Sequence, residues 1–276
     1  MTDSAWSWKA RPGAGDDPHT LRYEPGNWGD VLKGTWAVLV AEALLEQHQP
    51  GPFRVLDPFA GAPTYALTPN AAARIEIGGV FARTQEPFRK GCRLASTSVL
   101  VDAACRRQGV TAQLDVFDLD ERRRQLWSKI DNARLIPVRS GEEALEQKGR
   151  LVDLVLVDPY DFFDHWGRLL PEIWPIAHHT PVLVYFYNKS PRGHGHLDQY
   201  KRLHSTLRAA AQEEKLGACG GRLPADGVLP RAYHEMVLVG PVEFVHSVVD
   251  RLETETTRIA ERLAKEGAFE RFTQSK

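Results

Sequence analysis

Short apolar runs alternate with longer stretches of helical periodicity along most of the chain. FRVLDPFAG (53–61), TAQLDVFDLD (111–120), ARLIPVRSG (133–141), LVDLVLVD (151–158) and PVLVYFYN (181–188) predict strands. Each is rich in Val, Leu and aromatics and is bounded by Gly, Pro or Asp. Their nearly unbroken apolar character suits strands covered on both faces, as in a parallel sheet between helices. GDVLKGTWAVLVAEALLEQH (29–48) predicts a helix before the first strand, and RRRQLWSKI (122–130) one between the second and third. EMVLVGP (235–241) predicts a late antiparallel strand, followed by an amphipathic helix from about 242 to 265. The alternation implies an α/β fold with a doubly wound, mostly parallel, Rossmann-like sheet. About fifty residues separate Gly61 from the second strand, more than one crossover helix needs. A small helical insert at about 66–95 and a helix near 95–107 are expected there. The Gly/Pro/Asp-rich residues 1–20 read as a flexible lead, and 21–276 as a single domain.

Composition narrows the classes of function. The 276 residues carry a formal net charge of −1, so binding to nucleic acid would need a local basic patch. Cys92, Cys105 and Cys219 are widely spaced and form no CxxC pair, which disfavours zinc and a disulfide framework and suits reduced thiols in a cytoplasm. His178-His179 and His194-Gly-His196 lack a Cys or a third spaced ligand, so no metal is expected. No apolar run approaches the roughly 20 residues that span a bilayer, and the start lacks a signal-peptide core. No membrane partner is expected.

Ligands of doubly wound sheets bind beyond the carboxyl ends of the strands. Those ends carry Asp57, Asp118, Ser140, Asp158 and Asn188. VLDPFAGAPTY (55–65) resembles motif I of class I S-adenosylmethionine-dependent methyltransferases, where an acid and a small Gly-containing turn approach the cofactor. Gly61 meets that demand, although Asp57 would equally serve as a helix cap. Asp118 in DVFDLD is the choice for the ribose hydroxyls, with Asp115 and Asp120 as competitors; Asp120 also suits an N-cap. Ser140 stands where many members of that class place an acid facing the adenine amine. VDPYDFF (157–163) looks like motif IV of the amino-methyltransferases. An adenine amine has its lone pair delocalised into the ring. Asp158 and the Pro159 carbonyl would draw on its two hydrogens, and Tyr160 would stack on the base. The plainer reading of Asp158 is a cap on the next turn. GAPTY lacks the GxGxxG fingerprint of a Rossmann dehydrogenase.

LRYEPGNWGDVLKGTWAVLVAEALL (21–45), directly before motif I, is similar to the start of the bacterial 23S ribosomal RNA adenine-N6 methyltransferases of the RlmJ type. Gly26, Asn27, Asp30, Val31, Leu32 and Lys33 match that family's signature. The resemblance implies S-adenosylmethionine as cofactor and an adenine amine of RNA, ribosomal RNA above all, as acceptor. It puts Lys33 at the cofactor or substrate edge and Phe59, Thr97 and Gly141 among the cofactor contacts. Several positions depart from the family. Gly34 and Phe59 replace histidines, Pro63 a glycine, and Ser140 an acid. Motif IV is one proline short, so Phe162 or Phe163 would be the alternative stacking ring. These departures leave open a small-molecule or protein nitrogen as acceptor, or a degenerate methyltransferase fold that only binds. NKSPRGHGHLDQYKRLH (188–204), with Lys189, Arg192, His194, His196, Tyr200, Lys201 and Arg202, reads with Tyr185 and Tyr187 as a basic, aromatic lip for RNA. RRR (122–124) and FRKGCR (88–93) are further basic points, and a solvated face is the plainer reading of each.

Overall fold

The computed structural model describes residues 25–48, 50–159, 162–188, 205–209, 211–224, 233–263 and 268–271. The first helix, α1 (Trp28–Leu45), starts at Asn27, whose extended backbone and side-chain oxygen cap the amide of Asp30 at 3.1 Å. It is apolar on nearly every side because it runs between the sheet and other helices. Strand β1 (Phe53–Asp57) follows. The chain then leaves the sheet through β2 (Thr64–Ala66), α2 (Pro69–Ile75), α3 (Gly79–Arg89) and β3 (Arg93–Ala95). Strands β2 and β3 pair antiparallel, so the excursion between Gly61 and α4 (Thr97–Arg107) closes on itself. Arg258 bonds the carbonyls of Ile77 (3.4 Å) and Gly78 (3.3 Å), tying this excursion to the last helix.

Return to the sheet comes at β4 (Ala112–Val116). The chain continues through α5 (Glu121–Trp127), β5 (Ala133–Leu135), α6 (Gly141–Lys148), β6 (Leu154–Val157), α7 (Phe162–Ala177) and β7 (Val182–Asn188). Then come β8 (Gly217–Pro224), β9 (Tyr233–Gly240), α8 (Val242–Arg262) and β10 (Ala268–Arg271). The eight-stranded sheet has the order β10-β8-β9-β7-β6-β1-β4-β5. β5, β4, β1, β6 and β7 run parallel, and β9 pairs antiparallel with both β7 and β8. This is the doubly wound, mostly parallel, Rossmann-like sheet with a late antiparallel strand that the hydrophobic pattern predicts. Strand order reverses between β1 and β6, so the ends of those two strands face one crevice.

All five early strand segments form, but each is shorter than the run that predicts it. β1 stops at Asp57 and β4 at Val116, and the remaining residues become the turns that carry the candidate site. β8 and β10 are absent from the sequence reading. GACGGRLP has the composition of a loop, with three glycines in eight residues. Two of those glycines are steric requirements. A Cβ on Gly221 would lie 2.5 Å from Cζ2 of Trp36, and one on Gly217 2.7 Å from Cβ of Val245. Helices α1 and α8 therefore press onto β8 where it has no side chains. Trp36 is fully buried there, its indole donating to Thr256 Oγ1 at 3.0 Å.

Because Trp36 has no room to retreat, Gly221→Ala is expected to lower unfolding free energy by about 1–3 kcal/mol. Urea denaturation checks this; an unchanged midpoint would contradict the close packing.

Candidate functional site

The signature stretch around α1 folds into a charge relay of short contacts. Asp30 Oδ2 accepts from the Gly26 amide at 2.7 Å, and its Oδ1 lies 2.9 Å from Lys33 Nζ. Lys33 is only 7% exposed, and a buried ammonium is costly unless paired. Its main partner is Asp158 at the end of β6, with Nζ to Oδ2 at 2.6 Å. Nζ also lies 4.5 Å from the centre of the Tyr185 ring. Burial alone would lower the Lys33 pKa, but attraction to Asp158 and Asp30 outweighs it and holds the group well above its ordinary value. Lys33 is therefore a fixed cation. Burial raises the Asp158 carboxyl above its usual value, with Lys33 opposing the rise. About a third of the Asp158 side chain stays exposed, at 33%. Pro159 beside it is buried.

Asp57 ends the neighbouring strand and is also buried. It accepts from the Ser98 hydroxyl and, at 3.2 Å, from the Phe59 amide. Burial pushes its carboxyl up to about 7, against the pull of the Ser98 bond. The turn that follows needs Gly61, whose φ is +64°, and its carbonyl accepts from the Trp127 indole at 2.9 Å. Ser96 opens α4 with its amide 3.0 Å from the Pro63 carbonyl. Among the described residues its buried hydroxyl has no hydrogen-bond partner. Thr97, the sequence candidate, is the next residue and is half-buried.

The carboxylates around β4 separate clearly. Asp115 lies within the strand and gives both oxygens to Arg134, at 2.8 and 2.6 Å. Asp120 caps α5 through the Arg122 amide at 2.9 Å. Asp118 lies between them and takes a backbone hydrogen bond from Gly61, the Asp120 amide at 2.7 Å and Arg123 at 2.9 Å. Burial raises its carboxyl, and Arg123 counteracts the rise. Ser140 caps α6 through the Glu143 amide at 3.2 Å. A Cβ on Gly141 would lie 2.3 Å from Cε1 of Phe59 and 2.7 Å from the Pro58 carbonyl, so the turns after β1 and β5 touch.

The structure thus brings Lys33 to Asp158, Phe59 to Gly141, and Gly61 to Asp118. Tyr160 lies outside the described residues, as do Lys189, Arg192, His194, His196, Tyr200, Lys201 and Arg202. Phe162 and Phe163 open α7. Tyr185 lies 2.7 Å from His234 Nδ1 through its hydroxyl and carries Lys33 over its ring; the 189–204 part of the expected lip lies outside the described residues. Sequence reasoning missed Ser96, Ser98 and His234, since a serine or histidine so far along the chain carries no local signal for this cluster. At Gly34, where the resemblance expects histidine, a Cβ would lie 2.7 Å from both Leu100 Cδ1 and the Phe81 ring. Helices α3 and α4 have taken that space. Arg122–Arg124 are engaged, Arg124 bonding the Asp118 carbonyl at 2.9 Å and Arg122 lying 3.4 Å from Asp120. His178 bonds Glu214 at 3.0 Å, and among the described residues no group of three or more His, Cys, Asp or Glu is arranged to hold a metal.

No family model matches the chain, and no curated protein matches it. Among solved structures it is similar to protein LPL1258 from Legionella pneumophila, of family DUF519, with a TM-score of 0.62 and 14% identity over 90% of this chain and 98% of that one. This likeness establishes a shared fold. Two slighter likenesses bear no weight. One is a provisionally described rRNA methylase from Clostridium thermocellum (TM-score 0.40, 10% identity, 72% and 93% covered). The other is the plantazolicin methyltransferase BpumL with SAH (TM-score 0.43, 11% identity, 77% and 85% covered). No helix among the described residues is long and apolar enough to cross a membrane.

Asp57 gives this site a pH signature. Its pKa is raised from 3.8 to about 7 in the folded chain, so the neutral form is the stable one. That contribution is complete below about pH 4 and is lost as pH rises towards 7. The stability difference between wild type and Asp57→Asn should therefore fall by up to about 1.4 kcal/mol per pH unit across that window. Denaturation of both proteins at several pH values checks this; a constant difference would contradict it.

Proposed function

We propose that the chain is an S-adenosylmethionine-dependent N-methyltransferase acting on the N6 amine of adenine in RNA, ribosomal RNA by its family resemblance, in the cytoplasm. The observation that carries this reading is the Lys33–Asp158 pair at the sheet's switch point. It joins the two sequence features that resemble the family, the GNWGDVLK stretch and motif IV, at 2.6 Å.

The residues present fit the cofactor. Asp118 beside the Gly61 turn would meet the ribose hydroxyls, the Gly61, Asp120 and Arg123 donors occupying three of the roughly four lone-pair sites of its carboxylate. The Ser96 hydroxyl, which has no hydrogen-bond partner among the described residues, offers with Thr97 a polar contact where the turn after β1 meets α4. Phe59, Ser140 and Gly141 would form the wall on the adenine side, and Asp57 would brace the turn. When bound, the cofactor supplies an electrophilic methyl group. Lys33 engages one oxygen of Asp158 and favours its charged form against the cost of burial. The other oxygen would accept one N–H of the target amine and the Pro159 carbonyl the second, aiming the lone pair. Asp158 would also stabilise the positive charge that develops on the nitrogen. Tyr160 is the stacking ring of this proposal, and the basic 188–204 segment its RNA contact.

A second reading keeps fold and cofactor but gives the chain a small-molecule or protein nitrogen as acceptor. The shortened motif IV, VDPYDFF, and the net charge of −1 favour it.

Calorimetry with S-adenosylmethionine and S-adenosylhomocysteine tests the cofactor. Binding that Asp118→Ala weakens by about tenfold or more is expected, consistent with loss of charged hydrogen bonds. Asp158→Ala should abolish methyl transfer to ribosomal RNA while sparing cofactor affinity. Full activity in that variant would overturn the mechanism, and no cofactor binding at millimolar ligand would overturn the enzyme reading.

A further inference from the structure

Strands β7 and β9 place two side chains under the charged pair that the proposed mechanism leaves unused. In their antiparallel register Tyr185 faces Met236 and Tyr187 faces His234, which makes Tyr185 and His234 diagonal neighbours on one face. The Tyr185 hydroxyl lies 2.7 Å from His234 Nδ1, and the two rings stack at 20° with centroids 6.2 Å apart. The Tyr187 ring lies 5.0 Å from the imidazole, tilted by 35°. His234 is buried. The first turn of α1 rests directly on this pair. A Cβ on Gly29 would lie 2.4 Å from the Tyr185 hydroxyl and 2.6 Å from His234 Nδ1, so only glycine allows the approach.

The consequence falls on Lys33. Its ammonium is bonded by Asp158 and Asp30, and the Tyr185 ring lies beneath it. A lysine side chain has a long flexible stem with several accessible rotamers. Two carboxylates alone would let it choose between them. An aromatic face below, fixed in rotation by the bond to His234, confines the ammonium to the point where it reaches both.

We propose that Tyr185 and His234 are positioning residues that act through Lys33 to aim Asp158 at the acceptor nitrogen. The assignment of Asp158 as amine acceptor underlies this proposal. Among the described residues, the titratable groups that face the Asp158 carboxylate are Lys33 and Asp30 from α1, Asp57 from β1 and Tyr185 from β7. A loosened Lys33 should therefore read out as a weaker hold on the Asp158 charge.

The test is a carbon-13 NMR titration of the Asp158 carboxyl in the full chain, assigned with Asp158→Asn, in wild type, Tyr185→Leu, Tyr185→Phe and His234→Gln. Tyr185→Leu is expected to raise the titration midpoint by at least about half a pH unit. Tyr185→Phe and His234→Gln should raise it by less. Binding of S-adenosylhomocysteine, measured by calorimetry, should be unchanged in all three. A merely structural role would lower the melting temperature and leave the midpoint where it was. An unmoved midpoint in folded Tyr185→Leu overturns the proposal. Should that variant fail to fold, unmoved midpoints in both milder variants overturn it. Weakened cofactor binding would also overturn it, by placing the pair at the cofactor rather than the acceptor. A shifted midpoint in a protein that binds no S-adenosylhomocysteine would uphold the positioning and overturn the methyltransferase reading alone.

Discussion

A buried ammonium has to be neutralised, and at Lys33 that requirement organises one end of the molecule. The lysine belongs to the second turn of α1, and its partner Asp158 lies 125 residues away at the end of β6. Satisfying the pair fixes the height of α1 over the sheet. It also fixes Asp30, which turns back to the Gly26 amide, and Gly29, which lets the helix descend onto Tyr185 and His234. Every residue of the GNWGDVLK stretch with a polar side chain thus either caps the helix or serves that one cation. Burial of such a pair contributes little net stability when both partners are present. Its consequence is geometric: a single carboxylate, with one oxygen spoken for, at the switch point of the sheet.

Packing bears on two of the positions that depart from the resembled pattern. Gly34 and Phe59 each stand where the resemblance expects a histidine, and both have packing reasons. The space beside Gly34 is filled by Phe81 and Leu100, and Phe59 lies against Gly141. A histidine at 34 would collide with α3 and α4. The aromatic ring at 59 packs on the backbone of Gly141, where a Cβ would lie 2.3 Å from it. Both positions are set by side-chain packing, while Asp57 ends β1 and Asp158 directly follows β6.

The parallel strands were legible because burial on both faces writes a continuous apolar run, and their terminal acids were legible because a charge after such a run is conspicuous. The boundaries were less so. DPFAG and DLD extend the predicted strands, yet leave the sheet in the structure. β8 stayed hidden because its residues are small for the sake of Trp36 and Val245, a demand made by other elements. At the site, Asp118 was preferred over Asp115 and Asp120; Asp115 is paired with Arg134 within the strand, Asp120 caps a helix, and Asp118 lies beside Gly61 and is itself paired with Arg123. The roles of Ser98 and His234 depend on contacts across 41 and 49 residues, which no local pattern encodes.

The most direct test of this account is a double-mutant cycle on Lys33 and Asp158, using Lys33→Met, Asp158→Asn and the double variant in urea denaturation. Lys33→Met strands the Asp158 charge and Asp158→Asn leaves Lys33 with Asp30 alone, whereas the double change removes both members of the pair. The account predicts a coupling energy of about 1–3 kcal/mol, tempered by the partial exposure of Asp158. Strictly additive losses would contradict it, because the pair would then be a contact without a hold on the site.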